Sequence, residues 1–138
     1  MPEKISGERK RILQANGADI IYTDPGDGSD GAIRAARELH AQHPGKYFYA
    51  DQYSNDANWQ AHYHGTANEI WQQSEGRVTH FVSMMGTSGT FLGTTRRLKE
   101  LNPAIHYIHL QPDSPSHGTQ GATHRASPTI HETYDPSW

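Results

Sequence analysis

Apolar positions along this chain fall into short clusters separated by Gly, Pro, Asn and Asp, a pattern of several short elements rather than a few long ones. Ser6 reads as a helix cap. The helix it opens runs from Gly7 to Ala15, with Ile5, Ile12 and Leu13 on one side and Arg9, Lys10 and Arg11 on the solvated surface. Asn16-Gly17 stops it, because Gly17 can take positive φ. The β-branched and aromatic run 18–23 predicts a strand, and 24–28 a turn-rich loop. Ser29 or Asp30 then caps a second helix to about His43, with Ile33, Ala36 and Leu39 or His40 as its apolar stripe. Tyr47-Phe48-Tyr49-Ala50 predicts another strand.

The polar run 51–56 leads to a third helix, capped by Asn55 or Asp56 and containing Trp59, His62 and Tyr63. Gly65-Thr66 interrupts it, and helical character resumes through Glu69–Gln73. Trp59 and Trp71 have large apolar surfaces that predict packing against a sheet; a ligand-stacking pair is the alternative. Val78–Met85 predicts a strand, Gly86–Thr90 a tight loop, and Phe91–Leu101 a helix closed by Asn102-Pro103. A strand over 105–110 follows, with Ile105, Tyr107 and His109 facing away from His106, Ile108 and Leu110. Helix and strand in alternation predict an α/β fold with a parallel sheet and right-handed crossovers. From Gln111 onward, Pro112, Pro115, Pro128 and Pro136 with Gly118 and Gly121 predict an irregular loop or tail.

Candidate chemistry concentrates at Gly86, Thr87, Ser88, Gly89 and Thr90. Two glycines let the backbone turn sharply, and the first N–H groups of the following helix lack intrahelical acceptors. Such a helix start suits a phosphate or another anion. A plain strand-to-helix turn fits the same residues. The loop has neither the lysine of GxxxxGK[ST] nor the spacing of GxGxxG.

Composition narrows the classes. The 138 residues suffice for one ordinary domain, and the 33% apolar content allows a modest core. Twelve basic and fifteen acidic residues argue against a nucleic-acid surface. Cysteine is absent, which excludes disulfides and thiolate chemistry and suits a reducing compartment such as the cytoplasm. No apolar run approaches about 20 residues, so no membrane span is expected, and the polar N-terminus does not read as a signal peptide. The ten histidines include His117, His124 and His131, seven apart, and the close pair His62 and His64. None has a recognised carboxylate partner spacing, so no metal site is expected.

Several stretches, in collinear order, carry a family likeness. They are Ser6–Arg9 with Asn16–Ala18; Gly31–Arg34; Gln52–Asn58; His62 with Glu69-Ile70; Gly86–Thr90; Arg97–Pro103; and Gln111–Pro115. Together they resemble the cysteine synthase (O-acetylserine sulfhydrylase) and cystathionine beta-synthase family of fold type II pyridoxal-phosphate enzymes. The likeness covers nearly residues 1–117. It departs from the family pattern at 65–69, at His109-Leu110 and at 117–122, where polar residues replace apolar ones.

The resemblance implies Rossmann-like, three-layer segments of a two-domain fold, present here incompletely. Residues 1–50 would belong to the smaller, mobile domain; 51–116 to the larger one with the phosphate loop; and 117–138 to an irregular tail. It implies that Gly86–Thr90 cradles the phosphate of pyridoxal 5'-phosphate, with Thr87, Ser88 and Thr90 donating hydroxyl hydrogen bonds. None of Lys4, Lys10, Lys46 and Lys99 matches the family's Schiff-base lysine, so no catalytic residue is assigned. Three functional readings follow. The first is a truncated cysteine synthase-like protein that binds the cofactor noncovalently without catalysing alone. The second is one chain of a split or oligomer-completed cysteine synthase, with a homo-oligomeric or complementary partner. The third is a non-catalytic binding or regulatory module.

Overall fold

The structure is a computed structural model that describes residues 1–114, 118, 119, 121 and 122. Most of the expected tail, with His117, His124 and His131, therefore lies outside the described residues. The chain divides into two compact units, Met1–Ala50 and Asp51–Trp138.

The first unit contains helices α1 (Gly7–Ala15) and α2 (Gly28–Gln42). Ser6 stands at the N-cap of α1, but its side chain makes no capping bond. Gly17, at φ 76°, ends the helix as expected. The expected strand at 18–23 does not form. Only Thr23 makes an isolated parallel bridge, to Pro2, with Glu3 N–H donating to the Thr23 carbonyl at 3.1 Å and Thr23 N–H to that of Met1 at 2.9 Å. A short 3-10 turn, Pro25–Asp27, precedes α2, and Asp24 Oδ1 caps it by accepting from Gly26 N–H at 2.7 Å. The N-cap of α2 is thus Asp27, not Ser29 or Asp30. Its Oδ2 pairs with Arg34 at 2.7 Å. The stripe of α2 is half-buried at Ile33, Ala36, Leu39 and His40. The second expected strand, 47–50, does not form either: the segment is irregular, and Phe48 stays 91% exposed.

In the second unit the helical pattern is continuous. Helix α3 (Ala57–Ala61) passes through a π turn, His62–Thr66, into α4 (Ala67–Gln73). Gly65-Thr66 therefore widens the helix instead of breaking it. Asn55 Oδ1 accepts from Ala57 N–H at 3.0 Å, while Asp56 Oδ1 accepts from Trp59 Nε1–H at 2.8 Å. Strand β1 (His80–Met84), helix α5 (Gly89–Leu101) and strand β2 (His106–Leu110) make the expected strand-helix-strand unit. The strands pair in parallel from His80↔His106 to Met84↔Leu110.

The core follows the period-two pattern of the strands and one face of α5. Ala67, Leu98 and Ile105 are buried at its centre, with Ile70, Trp71, Val78, Phe81, Leu101 and Tyr107 packed around them. Phe81 stacks on Phe91 at 6.2 Å. Trp71 joins this core as expected. Trp59 does not face the sheet: it lies beneath the Arg96 guanidinium of α5 at 4.4 Å and edge-on to Tyr63. Gly93 lets α5 approach the preceding helix closely, since a Cβ there would land on the Trp59 carbonyl oxygen. On the opposite face of the two strands Val82, Met84, Ile108 and Leu110 remain 43–51% exposed.

Candidate functional site

The loop between β1 and α5 is closely packed and hydrogen-bonded to its neighbours. Met85 is fully buried, and its N–H donates to the Leu110 carbonyl at 3.0 Å, fixing the end of β1. Gly86 then passes so close to the Gly121 carbonyl oxygen that a Cβ would sit 2.6 Å from it. Ser88 adopts φ 66°, the left-handed conformation, and is buried. Non-glycine residues rarely hold that conformation, and it clusters at ligand clamps and tight functional turns. Gly89 opens α5 against Asn58; a Cβ at Gly89 would land on the Asn58 carboxamide.

Two side chains from the preceding helix brace the loop. Asn58 Nδ2 donates to Thr87 Oγ1 at 2.9 Å and to the Gln52 carbonyl at 2.6 Å. Because Thr87 Oγ1 accepts there, its own proton is left to donate elsewhere. His62, in the π turn, has Nε2 3.2 Å from Thr90 Oγ1 and Nδ1 3.0 Å from Thr66 Oγ1. Ser88 Oγ donates to the Thr87 carbonyl at 2.5 Å, so its hydroxyl is spent inside the loop and its contribution is the turn of its backbone. The first bond of the α5 ladder runs from Leu92 N–H to the Ser88 carbonyl at 2.8 Å. The N–H groups of Gly89, Thr90 and Phe91 precede it and stand at the positive end of the helix dipole. The arrangement can hold a dianionic phosphate by backbone N–H groups and two threonine hydroxyls.

The five sequence-predicted residues thus form one turn. Asn58 and His62 were missed as its supports. Their spacing of four puts them on the same side of a helix, a usable signal, but nothing in the sequence links them to residues 28 and 29 positions further on. Lys99 stands apart at the far end of α5, roughly 15 Å from Gly89 at about 1.5 Å per helical residue. Its ammonium cannot serve the loop.

An open groove of about 540 Å³ lies elsewhere, between α3 with its π turn and the second half of α5, lined by Trp59, Tyr63, His64, Arg96, Lys99 and Glu100 among others. Its acid is already engaged. Glu100 accepts from the Tyr63 hydroxyl at 2.9 and 2.7 Å and from Arg97 at 3.0 Å. The Tyr63 bond first, and then Arg97, hold its carboxyl below the usual range, while the same bond to Glu100 pushes the Tyr63 phenol up. Burial raises the Tyr107 phenol. The groove contains none of the loop residues and presents no helix start, so the loop remains the better anion site.

The family model for pyridoxal-phosphate dependent enzymes matches residues 1–137. The chain belongs to this family. Within it, the chain is 53% identical over 124 residues to a cysteine synthase of Aquifex aeolicus, covering 90% of this chain and 38% of that protein. It is 41% identical over 116 residues to cysteine synthase B of Escherichia coli, covering 84% of this chain and 38% of that one. Among solved structures, cysteine synthase from Entamoeba histolytica superposes with a TM-score of 0.80 at 36% identity, covering 99% of this chain and 42% of its own. An O-ureido-L-serine synthase superposes with 0.87 at 28% identity, covering 99% and 45%. The chain is a cysteine-synthase-like, fold type II member that spans 38% of the length of these curated relatives. Among the described residues no helix is long and apolar enough to cross a membrane, and no group of three or more His, Cys, Asp or Glu could hold a metal.

Proposed function

We propose that this chain carries the phosphate-binding part of a cysteine-synthase-type site. Gly86, Thr87, Ser88, Gly89 and Thr90 hold the phosphate of pyridoxal 5'-phosphate noncovalently. The observation that carries this reading is the left-handed Ser88 turn, which sets three leading N–H groups of α5 beside two threonine hydroxyls already braced by Asn58 and His62. Bound cofactor would act as an electron sink for β-replacement on O-acetylserine. The residues of this chain bind and orient the phosphate. They place no lysine at the loop, so this chain alone is not catalytic in our reading. Titration with the cofactor and with inorganic phosphate, followed by calorimetry and by borohydride reduction, tests it. Saturable binding lost in Thr87→Val/Thr90→Val, with no lysine adduct, is the expected result. Equal binding by that variant, or a defined lysine adduct, overturns it.

One observation favours a partner. Val82, Met84, Ile108 and Leu110 form an apolar face on the two strands, and contiguous exposed apolar surface marks interaction sites. We infer that a complementary chain, or a second copy, covers this face and completes the site. In this reading the first unit belongs to the small mobile domain and the second to the large domain, and the cysteine-free protein works in the cytoplasm. Light scattering of the native material gives the assembly mass; a monodisperse monomer that binds no apolar dye removes the partner.

A further inference from the structure

The His62 imidazole sits between two hydroxyls, and this arrangement decides which way Thr90 can point its proton. A π turn adds a residue to one helical turn and recurs at functional sites. Here it holds Nδ1 3.0 Å from Thr66 Oγ1, four residues on, and Nε2 3.2 Å from Thr90 Oγ1 in the first turn of α5. A neutral imidazole has one donor and one acceptor nitrogen. If Nδ1 carries the proton, it donates to Thr66. Nε2 then accepts the Thr90 proton, and Thr90 offers only lone pairs to the loop. With the proton on Nε2, Thr66 donates to Nδ1, His62 donates to Thr90 Oγ1, and the Thr90 proton is released toward the loop. Only in the second arrangement does the Thr90 hydroxyl donate to an anion in the loop.

We propose that His62 is a positioning residue for anion binding: in its Nε2–H form it makes Thr90 a hydrogen-bond donor to the bound phosphate. Thr87 is prepared in the same way on the other side, where Asn58 Nδ2 donates to its oxygen and frees its proton. The two threonines thus become donors because side chains of the preceding helix occupy one lone pair of each. The inference rests on the phosphate-cup reading and adds to it the means by which the cup acquires its polarity.

The test uses the whole chain with inorganic phosphate and pyridoxal 5'-phosphate as separate probes. Nitrogen-15 shifts of the His62 ring report the tautomer before and after phosphate addition, and Nε2–H is expected in the bound state. His62→Ala is expected to weaken phosphate binding about tenfold, the scale of one hydrogen bond to a charged group. His62→Gln, whose amide can still donate to Thr90, is expected to restore affinity to within about twofold on the same scale. In a Thr90→Val background the His62→Ala loss disappears, because the two act through one bond. Phosphate binding with an Nδ1–H imidazole, or with independent losses at His62 and Thr90, overturns the positioning role while leaving the cup in place. No phosphate or cofactor binding by the unaltered chain overturns the cup, and the positioning role with it. If His62→Ala fails to fold, the tautomer of the unaltered chain decides.

Discussion

Residues 18–23 and 80–84 read alike in sequence, as short β-branched or aromatic runs beside a helix, yet they end differently. The first stays outside any ladder apart from the Thr23 bridge, and its Ile21 remains 59% exposed. The second pairs over five positions with β2 and is covered on one face by α5. The same contrast separates 47–50, where Phe48 lies 91% exposed, from 106–110. β-propensity describes fitness for a half-buried pleated surface, and that surface exists only where a second strand and a covering helix are present. In the second unit the chain supplies both, through a crossover short enough to return β2 beside β1. In the first unit the only pairing comes from the few residues at the N-terminus.

The largest way to break this contrast is to separate α5 from its neighbours. Gly93→Val is expected to cost about 3 kcal/mol or more, because the new methyls meet the backbone at Trp59 and Tyr63, which cannot yield. Trp59 and Trp71 lie in the second unit and residues 1–50 contain no tryptophan, so tryptophan fluorescence in urea does not read the first unit. An unchanged midpoint would mean that the close α3–α5 approach is absent. Leu98→Ala, removing a fully buried side chain at the core centre, is expected to cost about 2–4 kcal/mol by the same readout.

Gly89→Ala tests function apart from stability. Its methyl displaces the Asn58 carboxamide, the end of a flexible side chain, so the fold should lose no more than about 1 kcal/mol. Thr87 loses its brace, and phosphate affinity should fall about tenfold in a calorimetric titration. Preserved affinity would show that Asn58 does not orient Thr87. In the first unit, Phe48→Ser should change stability by less than about 0.5 kcal/mol in a hydrogen-exchange measurement of α2 amides. A larger loss would reveal burial of Phe48.

The smallest effect is electrostatic. Tyr63 and Arg97 hold the Glu100 carboxyl below its ordinary value. A depressed carboxylate contributes stability that is fully present above its unfolded pKa and fades as pH falls through the folded one. Acid should therefore weaken the contact between the π turn and α5 slightly below about pH 4.5, the ordinary value. Glu100→Gln should flatten that part of the stability profile; an unchanged profile would remove Glu100 as its source. The pair is exposed, and screening keeps the effect small.

Much of this was legible in order along the chain. Both helices of the first unit, the strand-loop-helix-strand run of the second, and the loop residues 86–90 follow from local pattern. Caps were less legible. Ser6 occupies the cap position without making the bond, and α2 begins two to three residues earlier than its Ser29 or Asp30 cap predicts, directly after a 3-10 turn that Asp24 caps. Gly65-Thr66 looked like a break because glycine is a poor helix former, but the packing of Asn68, Arg97 and Tyr63 across the helices holds a π turn there. Trp59 looked like a core residue by size, and Arg96 claimed its face instead.

By itself, the sequence determined the order of elements, the parallel strand-helix-strand unit and the position of an anion loop, because hydrophobic period and glycine placement act over a few residues. Tertiary structure alone decided which apolar runs became strands, since a ladder needs a partner from elsewhere in the chain. It alone turned Thr87 and Thr90 into candidate donors, since Asn58 and His62 reach them across 29 and 28 positions of sequence. Hydroxyl direction is set by whichever group occupies the other lone pair, and that group is chosen by packing.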